Sequence, residues 1–159
     1  MPTWSLPLRV AIVDKAGRLP AIWRRIFETF TMAAVVRGVV DVSQRAAAVA
    51  TTTMATPILT AGLYRLSWYV RVQVAAGVSS AVQATLGWTD GGVAQTWSGA
   101  LVNGNLTTSG DADAILVRMD AGGGPTFAAS YASNPAGAMR YRLNVVLEEV
   151  PLPSGASAV

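Results

Sequence analysis

Cysteine and histidine are both absent from the 159 residues. Without cysteine there is no disulfide framework and no thiolate metal site. Without histidine there is no Ser-His-Asp or Cys-His dyad, no imidazole ligand, and none of the side chain most often used as a general base. Charge is scarce as well, at 13% of residues. Long apolar runs are also missing. The most apolar windows, 32–42 and 46–55, are bounded or broken by Arg37, Gly38, Asp41, Gln44 and Arg45, and fall short of the ~18 residues that a spanning helix needs. No membrane insertion is expected. The start of the chain, with Pro2 and Trp4, lacks the basic start and long apolar run of a secretory leader.

What is present points to β structure. Hydrophobic residues make up 52% of the chain, much of it Ala and Val, beside 15 Gly. That composition excludes disorder and suits short strands and tight turns. The clearest period lies in TPILTAGLYRLSWYVRVQV, residues 56–74. Tyr64, Leu66, Trp68, Val70, Val72 and Val74 point one way, while Arg65, Ser67, Tyr69, Arg71 and Gln73 point the other. Alternation of this kind marks a strand with one buried face. The face carrying Arg65, Tyr69 and Arg71 is expected to be solvated or to line an oligomer.

Further strands follow at short spacing. Val82, Ala84, Leu86 and Trp88 alternate with polar or small residues, and Asp90-Gly91-Gly92 carries the signal of a tight hairpin. Trp97 is expected to point inward on the returning strand, beside Trp88 in the core. Turns are expected at 77–80, at Asn103-Gly104-Asn105, at 120–125 and at 133–135, with a short edge strand over 106–109 and strands over 114–119 and 127–131. The last strand places Tyr141, Leu143, Val145 and Leu147 on one face. Residues 32–55 read as two strands with a loose middle. About eight strands at this spacing predict an all-β antiparallel jelly-roll sandwich over residues 32–150, with a loose tail at 151–159.

The N-terminal 31 residues read differently. Residues 1–45 hold seven of the twelve Arg and Lys against Asp14, Glu28 and Asp41 only, so the basic character lies here. Pro20 opens a segment in which Trp23, Ile26, Phe27 and Phe30 recur at i, i+3, i+4 and i+7, with Arg24, Arg25 and Glu28 on the other side. This is one apolar face of a short amphipathic helix. Such a helix either packs on its own β domain or docks its aromatic anchors into another protein. The Pro-rich approach and the distance from the β region favour docking, with Trp23, Arg24, Arg25, Ile26, Phe27 and Phe30 as the contact set. The spread of the basic residues favours an acidic protein surface over nucleic acid.

Two resemblances add to this. TPILTAGLYRLSWYVRV, ILVRMDAGGGPTFAASY and MRYRLNVVLEEV resemble, in that order, strands of the tumour-necrosis-factor-like and complement-globular-head jelly rolls. PLRVAIVDKAGRLPAIWRRIFETF is similar to the opening of many tailed-bacteriophage virion proteins, and GWTDGGVAQTWSGALVNGN to small β domains of phage structural genes. The resemblance implies a virion protein, assembled in the host cytoplasm, whose arm attaches to the particle among other virion proteins. Its β domain would project as a homotrimer, in a fibre, spike or decoration. Tyr64, Tyr69, Tyr131 and Tyr141 are the candidate oligomer contacts. The alternative is a module of the phage tail that binds a host-surface glycan or receptor, for which exposed aromatics are expected at the turns around Gly91 and Gly123.

Catalytic and metal chemistry finds little to use. Gly122-Gly123-Gly124 lacks the Lys-Ser/Thr of a phosphate loop. Asp111 and Asp113 stand two apart in a Ser-Gly-Asp-Ala-Asp stretch, a pattern open to a solvated turn, a calcium site or a glycosidase pair, with the turn favoured. No cofactor, no metal and no enzymatic activity are expected.

Overall fold

The alternation of residues 62–74 becomes one 13-residue strand, and the molecule is wound around it. The structure, a computed structural model, describes residues 34–55, 58 and 60–151. In chain order its strands are β1 (Val35–Arg45), β2 (Val49–Thr53), β3 (Gly62–Val74), β4 (Ala81–Asp90), β5 (Val93–Ser98), β6 (Val102–Asn103), β7 (Gly110–Met119), β8 (Thr126–Ala132) and β9 (Arg140–Val150). No helix occurs among the described residues. The expected amphipathic helix and the tail from residue 152 lie outside them.

Pairing is antiparallel throughout and nested. The innermost pair is the β4–β5 hairpin, closed by Gly91 and Gly92 with Asp90 opposite Val93. Both glycines have positive φ, at 58° and 76°, as the central residues of a two-residue hairpin turn require. Around that hairpin lie β3 with β7, then β2 with β8, then β1 with β9. Because β9 also pairs with β3 and β8 with β4, the strands fall into two sheets, β1-β9-β3-β7 and β2-β8-β4-β5. This winding defines a jelly-roll sandwich.

The core is filled by the faces that alternation marks. Leu66, Val70 and Val72 of β3 and Leu143, Val145 and Leu147 of β9 are fully enclosed, facing Val82, Ala84 and Leu86 of β4 and Phe127 and Ala129 of β8. Truncating a side chain such as Leu66 or Leu143 to Ala costs about 2–5 kcal/mol. Tyr64 and Tyr141 belong to the same stripes and are also enclosed. Each ring satisfies its hydroxyl locally: Tyr64 donates to the Thr60 carbonyl at 2.8 Å and Tyr141 to that of Ala47 at 2.9 Å.

Three expectations need correction. Trp97 is 45% exposed, whereas Trp88 packs against the core. The reason is position: among the described residues β5 is the end strand of its sheet, hydrogen-bonded only by β4, and all six of its residues are exposed. The short strand expected at 106–109 is instead a loop, and the extra strand is β6, paired with Ala81 and Val82. Finally, β7 begins at Gly110, four residues early, because Ala112, Asp111 and Gly110 continue the ladder opposite Tyr69, Val70 and Arg71.

The two ends of the sandwich differ. At one, Val35 lies opposite Glu149 and Leu63 opposite Val150, so the chain enters and leaves the domain side by side. The β4–β5 turn and the Gly-rich loop 120–125 share that end. The other, free end is built from the links 46–48, 75–80, 99–109 and 133–139.

Candidate functional site

Of the residues singled out from the sequence, Trp23, Arg24, Arg25, Ile26, Phe27 and Phe30 lie outside the described residues. The four tyrosines do not share a surface. Tyr64 and Tyr141 are inside the protomer, and Tyr131 is half-buried, its ring 5.9 Å from that of Tyr141 and its hydroxyl donating to the Met139 carbonyl. Tyr69 is 39% exposed and stands in the middle of the outer face of the β1-β9-β3-β7 sheet.

That outer face can be built row by row from the register. One row runs Val36, Glu148, Arg65, Leu116; the next Val39, Val146, Ser67, Ala114; the next Asp41, Asn144, Tyr69, Ala112. Val36, Val39 and Leu116 are more than half exposed. The charges among them are paired across neighbouring strands: Arg65 with Glu148 at 2.6 Å, Arg142 with Asp41 through two hydrogen bonds, and Arg37 with Glu149. The hydrogen bond from Arg142 holds the Asp41 carboxyl below its usual value, and that from Arg65 does the same for Glu148. Ion pairs this exposed add little to stability. They do leave a face on which three ion pairs are matched within the chain and exposed Val36, Val39 and Leu116 stand beside them.

At the free-end margin of this face, Arg71 stands directly opposite Arg142. Arg142 is engaged by Asp41, while the Arg71 guanidinium makes a long 3.5 Å contact to the Thr107 carbonyl. A cavity of about 310 Å³ opens between Tyr69, Arg71, Arg142 and the Gln44–Gln73 pair, where Gln44 N donates to Gln73 Oε1 at 2.7 Å.

The free end itself is held together by backbone bonds among three loops. Ser80, 3% exposed, is their hub. Its carbonyl accepts from Gly104 N at 2.7 Å and its Oγ from Asn134 N at 3.0 Å. Ala76 N donates to the Gly104 carbonyl and Gly77 N to that of Asn134. Gly104 is obligatory, since a Cβ there would overlap the Met139 sulfur and the Ser80 backbone. A second cavity, about 260 Å³, sits on this framework between Ser79, Ser80, Ala81, Leu101, Asn103 and Asn105. In the sequence, Ser79, Ser80, Asn103 and Asn105 read as turn residues. The further signal there is charge: segments 75–81, 99–109 and 133–139 contain no Asp, Glu, Lys or Arg.

Neither cavity is lined by a carboxylate. Asp111 is occupied structurally, accepting from Trp68 Nε1 at 2.8 Å and from Ala100 N at 3.1 Å. Among the described residues no three His, Cys, Asp or Glu cluster as metal ligands, and no helix is long and apolar enough to cross a membrane. The turns around Gly91 and Gly123 carry no aromatic side chain and lie at the end where the chain enters.

No protein-family model matches the sequence, and no curated protein matches it. Among solved structures, the chain is similar to an Eiger tumour necrosis factor from S. frugiperda, at 11% identity and a TM-score of 0.40, over 79% of this chain and 97% of that one. It is also similar to a pentameric capsid protein isolated from metagenomic phage sequences, at 17% identity and a TM-score of 0.37, over 98% of this chain and 91% of that one.

Proposed function

We propose that this chain is a non-enzymatic structural protein of a tailed-phage particle. Residues 1–31 dock on the particle through the Trp23, Ile26, Phe27 and Phe30 face flanked by Arg24 and Arg25. The β domain assembles with copies of itself, as a trimer, and projects as a fibre, spike or decoration. The observation that carries the assembly is the outer face of the β1-β9-β3-β7 sheet, where exposed Val36, Val39, Leu116 and Tyr69 stand among charges already paired within the chain. Apolar surface of that kind on a sheet face marks an interaction site. The virion assignment is supported by the resemblance of the N-terminal block to phage virion openings.

Light scattering of the full chain tests the assembly: a trimer mass is expected, and Leu116→Asp or Tyr69→Glu should give a folded monomer. A wild-type monomer at micromolar concentration would overturn it. Deleting residues 1–31 tests the docking: a folded protein that no longer joins the particle is expected, and one that still incorporates would discard the arm's role.

A second reading, a module of the tail that binds a host-surface glycan or receptor, is favoured by one observation. The uncharged loop cluster lies at the end of the β domain opposite Val35 and Val150.

A further inference from the structure

We infer that the free-end cavity beside Ser79 is a binding site for one uncharged sugar ring, a hexose or N-acetylhexosamine unit of a glycan. The inference rests on the second reading above and names its site. Four observations carry it.

The lining has no charged side chain. A charged ligand seated between Ser79, Leu101, Asn103 and Asn105 would lose water and find no counter-ion among them. The lining residues are mixed: polar Ser79, Asn103 and Asn105 with aliphatic Leu101 and Ala81. That combination matches a ring with hydroxyls at its edge and C–H groups on its face. At about 260 Å³ the cavity falls below the roughly 300–1,000 Å³ of pockets that take drug-sized molecules, so it seats a single ring.

The third observation is an unmet acceptor. Asn105 Oδ1 is buried and has no hydrogen-bond partner among the described residues, although Asn105 N is satisfied by Asn103 Oδ1 at 2.9 Å. Buried polar atoms are normally paired, and this one is left over on a residue that lines the cavity. The fourth is strain. Ser79 has φ of 70°, a region unfavourable for a residue with a Cβ, and such outliers persist only where the surroundings enforce them. Here the enforcement is visible, since the adjacent Ser80 is fixed by Gly104 N and Asn134 N. The arrangement presents Ser79 to the cavity at a conformational cost that a plain turn would avoid with glycine.

The test is a titration of the ¹⁵N-labelled full chain, followed by amide resonances. The probes are N,N′,N″-triacetylchitotriose and maltotriose, with the single charged ring N-acetylneuraminic acid as the charged control. At least one neutral probe should shift the amides of residues 78–81 and 101–105 at millimolar concentration, and the charged probe should not. Ser79→Gly should fold with unchanged or higher thermal stability, because glycine accepts this backbone, yet bind at least about tenfold more weakly. A purely structural Ser79 would not separate stability from binding in this way. Leu101→Arg, at an exposed rim position, should fold normally and also abolish the shifts. Silence of these amides with every neutral probe up to about 10 mM would overturn the inference. Wild-type binding by both variants, or equal binding of the charged probe, would do the same. If the purified chain blocks host adsorption while these amides stay silent, the receptor reading stands and this site is discarded.

Discussion

Trp68 and Asp111 are joined across the edge of the sandwich: the indole Nε1 donates to a carboxylate oxygen at 2.8 Å, and that same oxygen receives Ala100 N at 3.1 Å. Trp68 is 4% exposed, so its N–H has no ready access to water. The carboxylate thus joins β3, β7 and the segment after β5. Asp111→Ala should destabilise the domain by about 1–3 kcal/mol, the cost of stranding such a donor. Asp113, exposed and, among the described residues, bonded only to the next residue's N–H, should tolerate Ala with little change. Urea denaturation of both variants checks the contrast, and equal effects would contradict it.

Asp120 works as a clamp at the opposite end. Its two oxygens accept Gly91 N at 3.0 Å and Gly92 N at 2.8 Å, and its own N–H donates to the Thr89 carbonyl. The loop after β7 therefore caps the hairpin turn. Asp120→Ala should cost about 1–3 kcal/mol and speed hydrogen exchange at Gly91 and Gly92. Unchanged exchange at those amides would show that the turn holds itself.

Acid should weaken the domain through the outer sheet face. Asp41 and Glu148 have carboxyl groups held below their ordinary values of 3.8 and 4.5 by Arg142 and Arg65. A depressed folded value means that the contribution is present above the unfolded value and is lost as pH falls through the folded one. Thermal stability should therefore be level near neutrality and decline below about pH 4.5. The double variant Asp41→Asn, Glu148→Gln should show a shallower decline, by a small amount because the arginine of each pair is exposed. An unaltered acid limb would place the sensitivity elsewhere.

Alkali should act through Tyr141. Burial pushes its hydroxyl from 10.0 up to about 12, so the neutral ring is favoured in the folded state. That contribution is complete below pH 10 and is lost as pH rises from 10 towards 12. Tyr141→Phe should lose about 1 kcal/mol at neutral pH with its bond to the Ala47 carbonyl. It should also flatten the alkaline limb of the stability curve. A limb as steep as wild type would rule Tyr141 out as its cause.

Much of the architecture was legible because alternation and turn chemistry are local. The stripe from Tyr64 to Val72, the Asp90-Gly91-Gly92 hairpin and the two strands either side of residues 46–48 all follow from a few neighbouring side chains. What escaped was set at a distance. Gly110 and Asp111 have poor strand propensity, and they join β7 because β3 is long enough to pair them. Trp97 keeps the inward parity of its neighbour Leu86, but it stands on an edge strand that the core does not reach. The candidate site was less legible still. Ser79, Asn103 and Asn105 are ordinary turn residues, and only the fold brings their loops together around Ser80.

The side-by-side entry and exit of the chain, with Val35 opposite Glu149, also sets how the domain bears mechanical load. Pulling Val35 and Val150 apart would peel β1 from β9 one rung at a time, the weak direction of a ladder. A pull between Val35 and a ligand held at the free end runs along the strands instead. The rungs of the β1–β9 ladder then share the force in shear, because antiparallel hydrogen bonds lie perpendicular to the strands. A domain tethered by its N-terminal segment and gripped at the far loops is thus loaded in its stronger direction.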